Sequence, residues 1–221
     1  MQKVRLSFAK EGLAVYTSHL DLVRGFGRAT RRAGLPVRHT QGFNPQPYLV
    51  FSPPLSLGCA SVCEICDIDI GEDEVLPDIV GKLGAVLPVG IRLQSARAPV
   101  HALGLLAKAK YNIVIYMEAP PTAERLQQLE TLIDSGVLAI EKKTKRGQRN
   151  FEVEPKAVHT QMEYPGANEL HVSCVLPLTG ESALHPRDLV AAISNATRDA
   201  FRGRTSYTRV GFFLENNEPF T

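Results

Sequence analysis

The sequence has no Trp, only three Met and four Cys, and almost no net charge: 25 Lys and Arg against 23 Asp and Glu give +2. Four unevenly spaced cysteines do not make the dense disulfide framework of a small secreted domain. A chain of 221 residues needs none, because a fold of this mass buries roughly 70% of its unfolded surface. Long apolar runs are also missing. Stretches such as Tyr111–Met117 fall far short of the about 20 residues of a membrane helix. The N-terminal Met-Gln-Lys-Val-Arg-Leu-Ser-Phe alternates and has no apolar core, so no signal peptide is expected. A membrane association is not expected, and the default location is cytoplasmic. Nor is there a Gly-rich phosphate loop, a zinc-spaced Cys/His set or a nucleophile elbow.

What is present is a balanced globular composition, 44% hydrophobic and 22% charged, with the charge unevenly placed. Residues 1–108 hold 12 basic and 9 acidic groups, and residues 109–221 hold 13 and 14. Arg24, Arg28, Arg31, Arg32 and Arg38 cluster, whereas Glu64, Asp67, Asp69, Glu72, Asp73, Glu74 and Asp78 follow one another without a basic residue between. Such segregation marks a polyanion-binding patch beside an acidic surface, or simply two solvated faces.

Hydrophobic periodicity predicts an α+β fold. Val4, Leu6 and Phe8 alternate with Arg5 and Ser7 in a strand, Lys3–Lys10. Ser18 caps a helix that Gly34-Leu-Pro36 stops, with Leu22, Phe26, Ala29 and Ala33 on one face and Arg24, Arg28 and Arg31 on the other. Short strands are expected at Pro36–Thr40 and Tyr48–Ser52, a clearer one at Val62–Ile70, a helix over Asp73–Leu87 and a strand over Gly90–Ala98. That order, βαββαβ, is ferredoxin-like. It recurs as strand Lys110–Glu118, apolar on both faces, helix Thr122–Asp134, a hairpin of Val137–Lys143 with Asn150–Pro155, strand Glu169–Pro177, helix His185–Phe201 and strand Thr205–Glu215. Two packed ferredoxin-like halves, residues 1–98 and 109–221, are therefore expected on either side of a short apolar linker, Pro99–Lys108.

The spacing Cys59-x3-Cys63-x2-Cys66 matches the iron–sulfur triad of radical-SAM enzymes. Residues three apart on a strand point to opposite faces, however, so Cys63 and Cys66 cannot share a metal there. The spacing is read as accidental, the cysteines as small buried hydrophobes, and no metal or cofactor is expected. His19 and Asp21 have acid–base chemistry available to them, but Ser18 with Asp21 also forms a capping box, which leaves them weak catalytic candidates.

The arginine face suits phosphate, because guanidinium forks pair bidentately with its oxygens. Gln41-Gly-Phe-Asn-Pro-Gln-Pro47 follows it, offering Gln41, Phe43 and Asn44 for stacking and hydrogen bonding to RNA or a protein partner. A second basic site is the hairpin tip with Lys142, Lys143, Lys145, Arg146 and Arg149, and a third is Arg198, Arg202, Arg204 and Arg209. Strand Val62–Ile70 carries no aromatic for base stacking, and Asp67 and Asp69 would repel phosphate. RNA, if bound, is expected on helix and loops and not on the open sheet of this half.

At Ser18-His-Leu-Asp-Leu, Arg31-Arg-Ala-Gly-Leu-Pro36 and Gln41-Gly-Phe-Asn-Pro45 the sequence resembles the radical-SAM-linked proteins of unknown function, a domain found alone or fused to a B12-binding radical-SAM protein. In that family a His often stands where this chain has Gln46, and the three cysteines are not required. The resemblance implies a radical-SAM enzyme as partner and a link to RNA processing, with no activity of its own. The resulting expectation is a non-catalytic RNA-binding or adaptor protein. An RNA-processing or modifying enzyme using His19 and Asp21 is one alternative, and a pure assembly subunit is the other.

Overall fold

Alternating Val4, Leu6 and Phe8, all fully buried, set the inner face of the first strand, β1 (Gln2–Lys10), in the computed structural model. The structure describes residues 1–72, 75–144, 147–166, 168–180, 182–198, 201 and 203–220. Helix α1 (His19–Arg32) follows, then β2 (Leu49–Phe51), β3 (Cys59–Ile70), α2 (Leu76–Gly84) and β4 (Ile91–Arg97). The remaining elements are β5 (Lys108–Met117), α3 (Ala123–Ser135), β6 (Leu138–Thr144), β7 (Gly147–Val153), β8 (Gln161–Gly166), β9 (Glu169–Pro177), α4 (Pro186–Ala196) and β10 (Gly203–Phe213). The fold class is α+β. The chain divides into two compact units, one of residues 1–106 with 214–221 and one of residues 107–213. Among the described residues no helix is long and apolar enough to cross a membrane.

In the first unit the strand order is β4-β1-β3-β2, every pair antiparallel. Leu22, Phe26 and Ala29 of α1 and Ile79 and Leu83 of α2 close over Val4, Leu6 and Phe8. Phe26 is the hub: its ring lies 4.9 Å from that of Phe8 and 5.3 Å, edge-on, from that of Phe51. Burying aromatic rings in such tilted and edge-on pairs adds to their area term. The strand predicted at Pro36–Thr40 is reduced to two single bridges, Val37 with Ile70 and His39 with Pro47. Pro36, Pro45 and Pro47 lack the N–H donors that a ladder there would use. Strand β3 starts three residues earlier than predicted and takes in all three cysteines of its segment.

In the second unit the order is β10-β5-β9-β8, again antiparallel. Strand β8 was not anticipated: Gln-Met-Glu-Tyr-Pro-Gly contains a Pro and little β-branching, and it is recruited by pairing with β9. The hairpin β6–β7 forms its own two-stranded ladder, and β6 packs against α4. Strand β5, with apolar residues on both faces, buries only one of them. Ala109, Tyr111, Ile113, Ile115 and Met117 are buried, while the residues between them, from Lys108 to Tyr116, are open to solvent to varying degrees. Helix α4 begins where predicted, with Pro186 in its first turn and His185 Nδ1 accepting from the Arg187 N–H at 3.1 Å.

Candidate nucleic-acid interface

Helix α1 owes its start to Ser18. Its Oγ accepts from the Asp21 N–H at 3.1 Å and donates to Asp21 Oδ2 at 2.7 Å, which satisfies an orphan N–H and places a carboxylate at the positive end of the helix. His19 lies edge-on to Phe51, ring centres 5.7 Å apart. Both catalytic candidates are thus engaged in holding the helix in place.

The opposite face of α1 presents the arginines. Arg24, Arg28 and Arg31 are exposed and separated by four and three residues, so they form one stripe. Arg24 sits 3.7 Å from Asp21, a loose and exposed pair. Arg28 and Arg31 have no ion pair among the described residues. Arg32 points elsewhere and donates to the Val86 carbonyl. Arg38 is not part of the stripe: it pairs with Asp69 at 2.9 Å and lies 4.0 Å above the Tyr48 ring.

Beside the stripe stands a closed hairpin, residues 37–48. The Tyr48 N–H donates to the Arg38 carbonyl at 2.7 Å, the Thr40 N–H to the Gln46 carbonyl at 2.8 Å, and the Gln46 N–H to Thr40 Oγ1 at 3.0 Å. Gly42, at φ +132°, makes the turn that a side chain would resist. Gln46 Nε2 donates to Asn44 Oδ1 at 3.0 Å and braces the tip. At that tip Phe43 is fully exposed, the most exposed of the large apolar side chains. The hairpin is seated on α1 at Gly27, where a Cβ would lie 3.6 Å from Pro47 Cγ. Gly27 adjoins Arg24 and Arg31 on the helix surface, so the arginine stripe and the aromatic tip belong to one surface.

The other basic candidates belong to the second unit. Lys145 and Arg146 lie outside the described residues. Lys142 is the register partner of Arg149, and Lys143 that of Gln148, on the β6–β7 ladder. In the third basic cluster, Arg202 is outside the described residues and Arg198 is exposed. Arg204 covers the Tyr116 ring at 4.5 Å, and Arg209 is buried, donating to the Tyr111 hydroxyl at 3.1 Å. Arg209 is therefore a core cation and no part of a phosphate-binding surface.

The expected repulsion by Asp67 and Asp69 is also corrected. Asp67 is neutralised by Arg5, which donates from Nε and from Nη2 at 2.8 Å each, and Asp69 by Arg38. Arg5 further donates to the His101 carbonyl at 2.7 Å and lies under the Phe220 ring. Sequence reading missed this arrangement, although charges spaced two apart on both strands, Lys3 and Arg5 against Asp67 and Asp69, are its signature.

Cys59, Cys63 and Cys66 lie on the single strand β3 and form no disulfide; Cys59 and Cys66 are buried and Cys63 is partly exposed. Burial pushes the Cys66 thiol well above its ordinary range, Asp67 adding to the effect, which is the opposite of what a metal-binding thiolate needs. Among the described residues no group of three or more His, Cys, Asp or Glu is placed to hold a metal ion.

A family profile described as "Uncharacterized protein conserved in bacteria (DUF2344)" matches residues 3–186. No curated protein matches the chain. Among solved structures it is similar to a chain of the "Crystal Structure of a Cbf5-Nop10-Gar1 Complex", at 10% identity and a TM-score of 0.47. That similarity covers 96% of this chain and 50% of the other, so the chain spans about half the length of that neighbour.

Proposed function

Because the chain belongs to that bacterial family, whose description carries no activity, we propose its function from the surface itself: it binds single-stranded or looped RNA through α1 and the 37–48 hairpin, without chemistry of its own. The observation that carries this reading is the seating of a hairpin with a fully exposed Phe43 at its tip beside an arginine stripe in which Arg28 and Arg31 have no ion pair among the described residues. The arginines neutralise backbone phosphate, and Phe43 stacks on an unpaired base, a contact worth about 1–3 kcal/mol. Asn44 and Gln41 supply amide groups beside it. The resemblance to radical-SAM-linked proteins supports a radical-SAM enzyme as the partner that acts on the bound RNA.

Catalysis by His19 and Asp21 has less support, since Asp21 is committed to Ser18 and His19 to Phe51. The test is the affinity of the purified protein for labelled cellular RNA as salt is raised from about 50 to about 300 mM. Three phosphate contacts, from Arg24, Arg28 and Arg31, give a log–log slope near −2 for a single strand. Arg28→Glu with Arg31→Glu should abolish binding, and Phe43→Ala should weaken it about 5- to 150-fold. Absence of binding at about 50 mM salt refutes the proposal, and leaves an assembly subunit if the radical-SAM partner still binds.

A further inference from the structure

On the face of the first unit's sheet opposite α1 and α2 there is a separate cleft. The register sets Lys3 opposite Asp69 and Arg5 opposite Asp67, with Val50 of β2 on the other side of Asp67. Lys3, Asp67, Asp69, Tyr48 and Val50, together with the segment 99–104, enclose about 380 Å³. That volume lies within the usual range of small-molecule sites.

Asp67 has both oxygens taken by Arg5. Asp69 gives only Oδ2 to Arg38. Among the described residues, three polar groups lining the cleft have no partner: Asp69 Oδ1, the Lys3 ammonium and the Tyr48 hydroxyl. The carboxylate side chain of Asp69 is 17% exposed, which leaves Oδ1 within reach of a ligand donor. Among the described residues the two Arg–Asp pairs cancel, and Lys3 leaves the cleft with a sum of +1. A cationic ligand is disfavoured by that sum. A neutral ring attached to phosphate matches it. Val50, Val100 and Leu103 offer apolar walls for a flat ring.

We infer that this cleft takes a guanine base, from RNA or from a free guanine nucleotide. Guanine alone of the four bases sets two adjacent N–H donors, N1 and N2, beside a carbonyl acceptor, O6. Asp69 Oδ1 accepts from the donors and Lys3 donates to O6, the pairing chemistry that carboxylate and ammonium provide. The inference rests on the RNA reading above only for the source of the base. The hairpin is shared, since Tyr48 at its base lines the cleft while Phe43 stands at its tip.

The experiment has two arms at about 50 mM salt. The first is calorimetric titration of the full chain with GMP, IMP, AMP, CMP, UMP and glycine. The second is anisotropy of two labelled RNA octamers, all-uridine and the same with one central guanosine. GMP should bind, and IMP, which lacks the N2 amine, should bind about tenfold more weakly, the scale of one hydrogen bond to a charged group. The single guanosine should strengthen the octamer by a similar factor.

Asp69→Asn and Lys3→Met should erase both preferences and leave the all-uridine affinity unchanged. Lys3→Met alone, at an exposed position, should weaken GMP and carries the test if Asp69→Asn fails to fold by circular dichroism. Arg28→Glu with Arg31→Glu should weaken both octamers and spare GMP. Equal octamer affinities with no GMP binding overturn the guanine site and leave the RNA reading standing. GMP binding without octamer binding supports the site for a free nucleotide and refutes the RNA reading. Equal affinity for all four nucleotides, or glycine in place of GMP, overturns the guanine assignment. No binding in either arm overturns both.

Discussion

Replacing Asp67 with Leu should destabilise the first unit by about 3–5 kcal/mol, the usual result of removing one partner from a buried ion pair. The structure sets the size of the effect. The Arg5 side chain is fully buried and that of Asp67 is 10% exposed, and two hydrogen bonds of 2.8 Å join them. With Asp67 gone, the guanidinium loses both hydrogen bonds to its carboxylate, and neither the His101 carbonyl nor the Phe220 ring carries a charge to balance it. Leu fills most of the vacated volume, so the loss reports charge and not a cavity. Against a total stability of about 5–15 kcal/mol this is a large share, and it should appear as a fall in melting temperature of about 6–20 °C. The double variant Arg5→Met, Asp67→Leu removes both charges and should be more stable than Asp67→Leu alone. Urea unfolding followed by circular dichroism measures all three proteins. An Asp67→Leu protein within about 1 kcal/mol of the parent, or a double variant weaker than the single one, would refute the reasoning.

Three further outcomes are expected. Ser18→Ala removes the α1 cap and should cost about 1 kcal/mol in the same assay, with RNA affinity unchanged if the helix stays folded. Gly27→Ala meets Pro47 at ordinary contact distance and should stabilise the helix by up to about 1 kcal/mol, whereas Gly27→Leu should unseat the hairpin and weaken RNA binding; equal RNA affinity for the two would show that hairpin position is irrelevant. Burial pushes the Cys66 thiol upward and takes Cys174 from 9.0 to about 12. Above pH 9 the unfolded chain therefore loses protons that the folded chain keeps. The thiols' contribution should be level below pH 9 and fall above it by about 1.4 kcal/mol per pH unit for each thiol, and Cys174→Ala should flatten the slope by one such increment in urea midpoints taken between pH 8 and 10.5.

Local pattern made much of this protein legible. Ser18, the apolar stripe of Leu22 and Phe26 and the stop at Gly34 define α1 almost to the residue, because capping and periodicity act within a few residues of chain. Strand β9 was readable for the same reason, from strict alternation over Glu169–Pro177. Strand β8 was not, since its residues extend only because β9 offers them an edge to pair with. The arginines show a similar divide. Spacing along the chain places Arg24, Arg28 and Arg31 on one helix face, but nothing local separates them from Arg38 and Arg209.

Composition and periodicity by themselves determined an α+β fold, the first basic helix and an aromatic loop after it. Only tertiary structure decided which charges remain available. Arg38 is taken by Asp69 and Tyr48, Arg209 is enclosed by Tyr111 and Phe212, and Arg5 is sealed against Asp67. Whether a charge faces water or a partner depends on residues far away in sequence. Sixty-two positions separate Arg5 from Asp67, and strand pairing alone brings them together.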